Sequence, residues 1–492
     1  MPDERPPLLP LILLLGGLWI LAAGARLDAV ADATVGSDAL GQYAVALQVL
    51  EGGGWPHPPN PEGGHSLWLM ALPLVPLAGS LEELFRLRFI VAGLVAPLGA
   101  LAAWLLAAPR ARGAAAVAAG AVLAFDVGLV DTLVSSFRGY GAPELLALAT
   151  VGLALAVTGR PWGLPLAGAA VVGATGQHPF AAGAALGALA ALPGAAQGVD
   201  RRWRWATAAT VAVLCLPRLA HLAWLADCGD GAWACLGRVA SGSAEPDTPR
   251  LEMLRRLFND RVLVEGWWPW PLLAVGLAML SARPVAGRRP LLGWALGTVA
   301  GVLAIGLSAS SLRPYHARLA MPALAVAAAA GLSRSGRLPL ALAVAAVAQW
   351  APGRATPAAG GIGPRDVDRV ARSVLAGPPG PVQIEAAWWG RPVGLDPLAV
   401  SLSAWLQADR ATRRARLATD PAASVVLLAH DPPESALAGL PSEATRLDLG
   451  LAQPVGLWFP STESAARWRA AHGSPAITDA GEWAGVVGAA EP

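Results

Sequence analysis

Over roughly its first 350 residues the chain alternates long apolar segments with short polar turns. A helix that crosses a bilayer needs about 20 mainly apolar residues, and by that length the segments predict about eleven membrane-spanning helices. They lie near residues 7–25, 88–108, 114–134, 142–159, 162–177, 179–197, 206–225, 267–282, 290–310, 317–333 and 338–351. The stretch Leu67–Leu77 is shorter and is interrupted by Pro73 and Pro76, which favours an interfacial or re-entrant helix that does not cross.

Arginine is concentrated in alternate turns between these segments, and cytoplasmic loops carry the excess of basic residues in membrane proteins. The turns in question contain Arg110, Arg112, Arg160, Arg201, Arg202, Arg204, Arg283, Arg288, Arg289, Arg334 and Arg337. The alternation is regular only if Leu67–Leu77 does not cross. It predicts a multi-pass protein of the plasma membrane with a cytoplasmic N-terminus, an outer loop over residues 26–87 and an extracytoplasmic C-terminal region.

The pattern changes after residue 351, where polar and apolar segments of ordinary soluble type alternate. The helix-like segments are Asp366–Leu375, Pro397–Arg410 and Ser464–His472, and the strand-like ones are Val382–Ala386, Ser424–Ala429 and two shorter runs. The fold class is therefore an α-helical polytopic membrane protein, with a transmembrane domain over residues 1–351 and a small extracytoplasmic α/β domain over residues 352–492.

Composition agrees with this class and excludes others. Of the 492 residues, 55% are hydrophobic and 14% are charged, whereas soluble domains carry about 25% charged residues. The 36 basic residues nearly balance the 34 acidic ones, so no nucleic-acid partner is expected. Three cysteines are too few for a disulfide scaffold or a cysteine-rich metal site. Cys228 and Cys235 share a predicted outer loop, where either a disulfide or two free thiols is possible.

Ionisable and aromatic-polar residues from five separate segments fall on the predicted outer face, and such residues are the usual markers of a site in a membrane protein. The candidates are Asp38, Glu62, His65, Arg138, Tyr140, Glu144, His178, Arg313, Tyr315 and Arg318. Several have a plainer interpretation. Asp38 is also placed to cap the amphipathic stretch Ala39–Leu50, and an arginine at the end of a span also reaches lipid headgroups.

Six segments, in this order, resemble the GT-C superfamily of membrane glycosyltransferases, which includes protein O-mannosyltransferases and aminoarabinose transferases. They are the acidic loop Gly36–Gly53, the proline-rich Asn60–Trp68, the arginine-containing start of the second span at Glu82–Arg88, the S-x-x-R-x-Y turn Ser135–Tyr140, the step Thr175–His178 and the turn Arg313–Pro322. The resemblance covers about residues 7–350. One departure is that Ala39 follows Asp38, where many members of the superfamily have a second acid.

The resemblance implies an inverting transfer of a hexose or pentose from a polyprenyl-phosphate-linked donor to a glycan or protein acceptor at the outer face of the membrane. Asp38 would be the catalytic carboxylate that takes the acceptor proton. Glu62, His65, Arg138, Tyr140, His178, Arg313, Tyr315 and Arg318 would bind substrate, with arginines on the leaving phosphate. No cofactor is required by this interpretation. Support for a divalent metal is weak, because hard cations take several oxygen ligands and Ala39 stands where many members of the superfamily have a second acid.

Two other functions remain open at the level of sequence. The first is transport or flipping of a lipid-linked glycan, although transporters place charges near the bilayer midplane and use repeated halves. The second is a non-catalytic scaffold of GT-C type whose outer domain binds a partner. Convergence of Asp38, Arg138 and Arg318 on one outer cavity would favour the enzyme.

Overall fold

The structure is a computed structural model. It describes residues 8–27, 30, 35, 43, 46, 50, 73–126, 129–130, 141–177, 179–226, 269–282, 287–308, 314–350, 362–388, 395–417, 422–430, 432–451 and 455–472. All structural statements below concern these residues.

The first part of the described chain is a bundle of apolar helices. These are α1 Leu8–Leu27, α2 Leu81–Ala92, α3 Val95–Leu106, α4 Arg112–Phe125, α5 Ala142–Val157, α6 Gly163–Gln177, α7 Gly183–Ala195, α8 Arg201–Ala226, α9 Pro269–Ala282, α10 Arg288–Ser308, the four-residue α11 Pro314–Ala317, α12 Met321–Leu332 and α13 Leu338–Ala348. Short 3₁₀ turns precede α4, α7 and α12. Leucine and isoleucine side chains of α1 are largely exposed, as expected for a lipid-facing helix.

By length and composition, three described helical segments are long and apolar enough to cross a membrane: Leu8–Leu27, Leu81–Leu106 and Arg288–Leu307. The second joins α2 to α3 through Gly93, where an added Cβ would lie 3.0 Å from the Ala23 backbone nitrogen. This glycine lets α1 lie directly against the junction. The other apolar helices of the bundle are shorter. The protein is thus a membrane protein by its helices, while the count of eleven crossings stays a prediction.

Two expectations about helix bounds were wrong. The second span was expected to begin at residue 88, but α2 begins at Leu81, because acceptors are present for its first backbone N–H groups. The third was expected to extend over residues 114–134, but α4 ends at Phe125, and Asp126 turns the chain into an extended conformation. Of the predicted interfacial segment Leu67–Leu77, only residues 73–77 are described, and they contain the 3₁₀ turn Val75–Leu77.

Glycines on facing surfaces hold helices α7 and α10 in close contact. A Cβ on Gly301 would lie 2.1 Å from the carbonyl oxygen of Gly183, and one on Gly297 would lie 2.8 Å from the Gly187 Cα. Both pairs are spaced by four residues along their helix, the small-xxx-small arrangement that lets helix backbones pack tightly in lipid. This contact fixes the centre of the bundle without large side chains.

The C-terminal part contains a four-stranded mixed sheet flanked by helices. Its elements are α14 Pro364–Ala376, β1 Val382–Trp388, α15 Pro397–Gln407, α16 Arg410–Arg416, β2 Ser424–His430, α17 Glu434–Ala438, β3 Thr445–Leu447, β4 Val455–Phe459 and α18 Thr462–Ala471. The strand order is β1-β2-β4-β3, with β1 and β2 parallel and the other pairs antiparallel. The helix predicted over Pro397–Arg410 is instead two helices, because Asp409 caps a new one.

The C-terminal part packs on the bundle where α2 begins. One apolar cluster contains Leu81, Phe85 and Phe89 of α2 together with Val367 and Val370 of α14. Its polar centre is Asp368, a residue only 4% exposed.

The Asp368 carboxylate, which belongs to α14, caps the N-terminus of α2. Its oxygens accept hydrogen bonds from the backbone N–H groups of Leu81 (2.8 Å) and Glu82 (3.0 Å). Ser403 and Gln407 of α15 also donate to it. The next N–H, that of Glu83, donates to the Ser80 hydroxyl. All three first-turn donors of α2 are therefore satisfied.

Candidate functional site

Two buried ion pairs lie where four helices of the bundle begin or end. Arg88 of α2 donates to Oε1 of Glu144, in the first turn of α5, at 2.6 Å. Arg318, in the turn before α12, donates to Oδ2 of Asp126 at 2.7 Å. The four residues are between 2% and 7% exposed. Buried charges of this kind are retained when each has a partner of opposite sign.

A third arginine, Arg26, lies beside the pairs and is 1% exposed. It stands in the last turn of α1 and donates to the carbonyl oxygens of Leu123 (3.1 Å) and Ala124 (3.0 Å) at the end of α4. The last carbonyls of a helix lack partners within it and carry its negative dipole end, which explains why a cation fits there. Gln349 donates to the next carbonyl, that of Phe125.

These residues form one electrostatic cluster, which we call the arginine cluster: Arg26, Arg88, Asp126, Glu144 and Arg318. Arg26 interacts electrostatically with Glu144, Asp126 and Arg88 across the two pairs. Among the described residues the cluster holds three guanidinium groups and two carboxylates.

The two carboxylates of the cluster differ in how fully they are bonded. Asp126 accepts from Arg318 on one oxygen and from the Leu129 backbone N–H on the other, at 2.8 Å. Glu144 accepts from Arg88 on Oε1, while its Oε2 is buried without a hydrogen-bond partner.

Tyr43 links the cluster to the first loop. Its side chain is 4% exposed, and it interacts electrostatically with Arg88 and Glu144. Burial raises the pKa of the Tyr43 phenol well above its ordinary value, so the phenol is neutral at physiological pH.

Aromatic rings border the cluster beside Arg318. The Arg318 guanidinium lies 5.8 Å from the centre of the Trp270 ring at the start of α9. His316, two residues before Arg318, stacks on Phe180 with 3.5 Å between ring centres. The turn before α12 is thereby held against α9 and the start of α7.

Most of the predicted site residues lie outside the described residues: Asp38, Glu62, His65, Arg138, Tyr140, His178 and Arg313, as do Cys228 and Cys235. Tyr315 lies in α11. Arg318 and Glu144 are described, and both belong to the arginine cluster. The assignment of Arg318 as a substrate-binding residue remains a prediction.

Sequence analysis missed three members of the cluster. Asp126 lay inside a segment predicted to cross the membrane, and an acidic residue there is itself a signal of a functional or paired group. Arg88 was noted only as the start of a span, and Arg26 was not singled out. Their partners are distant in sequence, so periodicity gave no indication of the pairs. Within the described residues, no group of three His, Cys, Asp or Glu side chains is placed to hold a metal ion.

The fold and cluster define the class: a helical membrane protein with a charged cluster buried where helices of its bundle begin and end. No protein-family model and no curated protein sequence matches the chain. Among solved structures, the fold is similar to that of ArnT from Cupriavidus metallidurans, crystallised in the apo state. The TM-score is 0.58 and the identity 14%, over 92% of this chain and 98% of that one. ArnT is an aminoarabinose transferase of GT-C type, so the resemblance seen in the sequence is confirmed at the level of the fold.

Proposed function

We propose that this protein is a GT-C-type glycosyltransferase that moves a sugar from a polyprenyl-phosphate-linked donor to a glycan or protein acceptor at the outer face of the plasma membrane. The observation that carries the proposal is the burial of three arginines, Arg26, Arg88 and Arg318, in one cluster of a fold similar to that of ArnT. Guanidinium groups gathered in this way favour the binding of a phosphate.

The residue types fit the chemistry of such a transfer. When the bond between sugar and phosphate breaks, negative charge develops on the phosphate oxygens. Arginine stabilises this charge because its planar fork of N–H donors matches phosphate geometry. In the proposal, the arginine cluster attracts the leaving phosphate, with Arg318 or Arg313 as its direct contact and Arg138 or His178 assisting.

The acceptor proton requires a base, and we assign this role to Asp38. Support comes from Tyr43, which follows Asp38 by five residues and interacts electrostatically with Arg88 and Glu144. Tyr43 therefore lies close to the arginine cluster. A positioned base typically contributes about 10²- to 10⁴-fold to the rate.

A deletion strain tests the proposed function. Lipid extracts of the strain, separated by thin-layer chromatography, should contain an accumulated polyprenyl-phosphate sugar. Wild-type protein supplied in trans should remove it, and purified protein should release polyprenyl phosphate from it when acceptor membranes are added. An unchanged lipid profile in the deletion strain, together with no release in vitro, would contradict a transferase function.

A further inference from the structure

We propose that the free carboxylate oxygen of Glu144, its Oε2 atom, binds a sugar hydroxyl of the lipid-linked donor. The inference rests on the proposed function and adds a substrate-binding residue that contacts the sugar rather than the phosphate. Its starting point is the difference between the two carboxylates of the arginine cluster: Asp126 has a donor on each oxygen, and Glu144 has a donor on one.

An unsatisfied oxygen is costly at this location. Glu144 is 7% exposed, and Oε2 has no solvent contact and no hydrogen-bond partner among the described residues. Arg88 holds Oε1 at 2.6 Å, which fixes the plane of the carboxylate and directs Oε2 away from that contact. A buried acceptor of this kind is completed by a ligand or by an ordered water.

The neighbouring arginines select the kind of donor. Arg88 and Arg26 already interact with Glu144 and would repel an ammonium group. A neutral hydroxyl donates to a carboxylate without adding charge. A sugar phosphate carries a hydroxyl for Glu144 and a negative charge for the arginines in one molecule.

The test compares two phosphodiesters of equal charge, methyl farnesyl phosphate and farnesyl phosphate esterified to a hexose or a pentose, on the full-length protein in nanodiscs. A hydrogen bond to a charged group corresponds to roughly 10- to 150-fold in affinity. Wild-type protein should bind the sugar ester at least about tenfold more tightly than the methyl ester. In Glu144→Gln this ratio should fall to about one. The affinity for the methyl ester itself should not be weakened.

The Glu144→Gln variant is informative because it reverses hydrogen-bond polarity at one atom. Arg88 keeps the amide oxygen as its acceptor, which places the NH₂ group where Oε2 stands and turns the free acceptor into a donor. Glu82→Gln is the control. It also neutralises a carboxylate paired with arginine, but outside the arginine cluster, and it should leave the ratio between the two ligands unchanged.

A second measurement uses only the wild-type protein. Esters of sugars that lack one hydroxyl at a time should show a loss of about tenfold at one position and little loss elsewhere. The proposal is overturned if no single hydroxyl matters, or if Glu144→Gln keeps the wild-type ratio, since Oε2 would then bind water. If wild-type protein binds neither farnesyl ligand, the proposed function fails first and the assignment of Glu144 falls with it.

Discussion

At the scale of the residue, Asp126 is the member of the arginine cluster whose role is structural. Both of its oxygens accept, one from Arg318 and one from the Leu129 N–H. In Asp126→Asn an NH₂ group replaces one of the two oxygens. It must then face Arg318 or the Leu129 N–H, and two donors cannot form a hydrogen bond with each other. Breaking a buried ion pair from one side costs about 3–5 kcal/mol. We expect thermal unfolding of the purified variant at a clearly lower temperature.

The control for this variant is Glu82→Gln. Glu82 also pairs with arginine, through Arg86 and Arg365, but its partners are at least half exposed. Exposed pairs contribute about 0–1 kcal/mol, so the unfolding temperature should barely move. Equal unfolding temperatures for the two variants would show that burial does not strengthen the Asp126–Arg318 pair.

Asp38 carries the sharpest functional prediction at this scale. Asp38→Asn keeps the size and capping capacity of the side chain but removes its basicity. We expect normal expression and thermal stability with about 10²- to 10⁴-fold less transfer, measured as release of polyprenyl phosphate. Asp38→Ala removes the cap as well and should also lose about 1 kcal/mol of stability. Near wild-type transfer by Asp38→Asn would mean that the carboxylate only caps a helix.

At the scale of the element, the start of α2 depends on Asp368. Loss of a capping acceptor costs about 1 kcal/mol, which corresponds to roughly fivefold faster opening. In Asp368→Asn, hydrogen exchange at Leu81 and Glu82 should accelerate by about that factor, as measured by mass spectrometry of a peptide over residues 80–88. Asp366→Asn is the matched control, since Asp366 is partly exposed and its ion pair among the described residues is with Arg369, at 3.6 Å. Equal exchange in the two variants would exclude the capping role.

The glycine contact between α7 and α10 gives a second prediction for an element. Gly301→Ala places a methyl group 2.1 Å from the Gly183 carbonyl oxygen, so the helices must separate. Overpacking of this kind costs about 1–3 kcal/mol, and we expect a lower unfolding temperature. Gly17→Ala in α1 is the control, because nothing lies within 4 Å of its added methyl group. An unchanged unfolding temperature for Gly301→Ala would show that helices α7 and α10 can separate at little cost in free energy.

The elements also show what the sequence can predict. Long apolar segments predicted the positions of the bundle helices, because a helix that crosses lipid must be apolar over about 20 residues. The predicted helix bounds were wrong where a residue distant in sequence fixes the end of a helix. The start of α2 is fixed by Asp368, which is 287 residues from Leu81. The residues of the arginine cluster were likewise visible one by one, yet Arg318 and Asp126 are 192 residues apart and no local pattern pairs them.

At the scale of the whole molecule, the arginine distribution predicts the topology. Reporter fusions at Gly113 should score as cytoplasmic and fusions at Gly360 as extracytoplasmic, because the intervening turns alternate in positive charge. A fusion at Gly198, beside Arg201, should agree with Gly113. If Gly113 scores as extracytoplasmic and Gly360 as cytoplasmic, the segment Leu67–Leu77 crosses the membrane after all.

The cap on α2 also orders the biogenesis of the protein in time. Leu81 leaves the ribosome long before Asp368 does, so the nascent second helix enters the translocon with its first amide groups bound to water or to transient partners. The final contact forms only after α14 has been synthesised, 287 residues further along the chain. The synthesis of α14, rather than that of the second helix, therefore completes the first turn of α2.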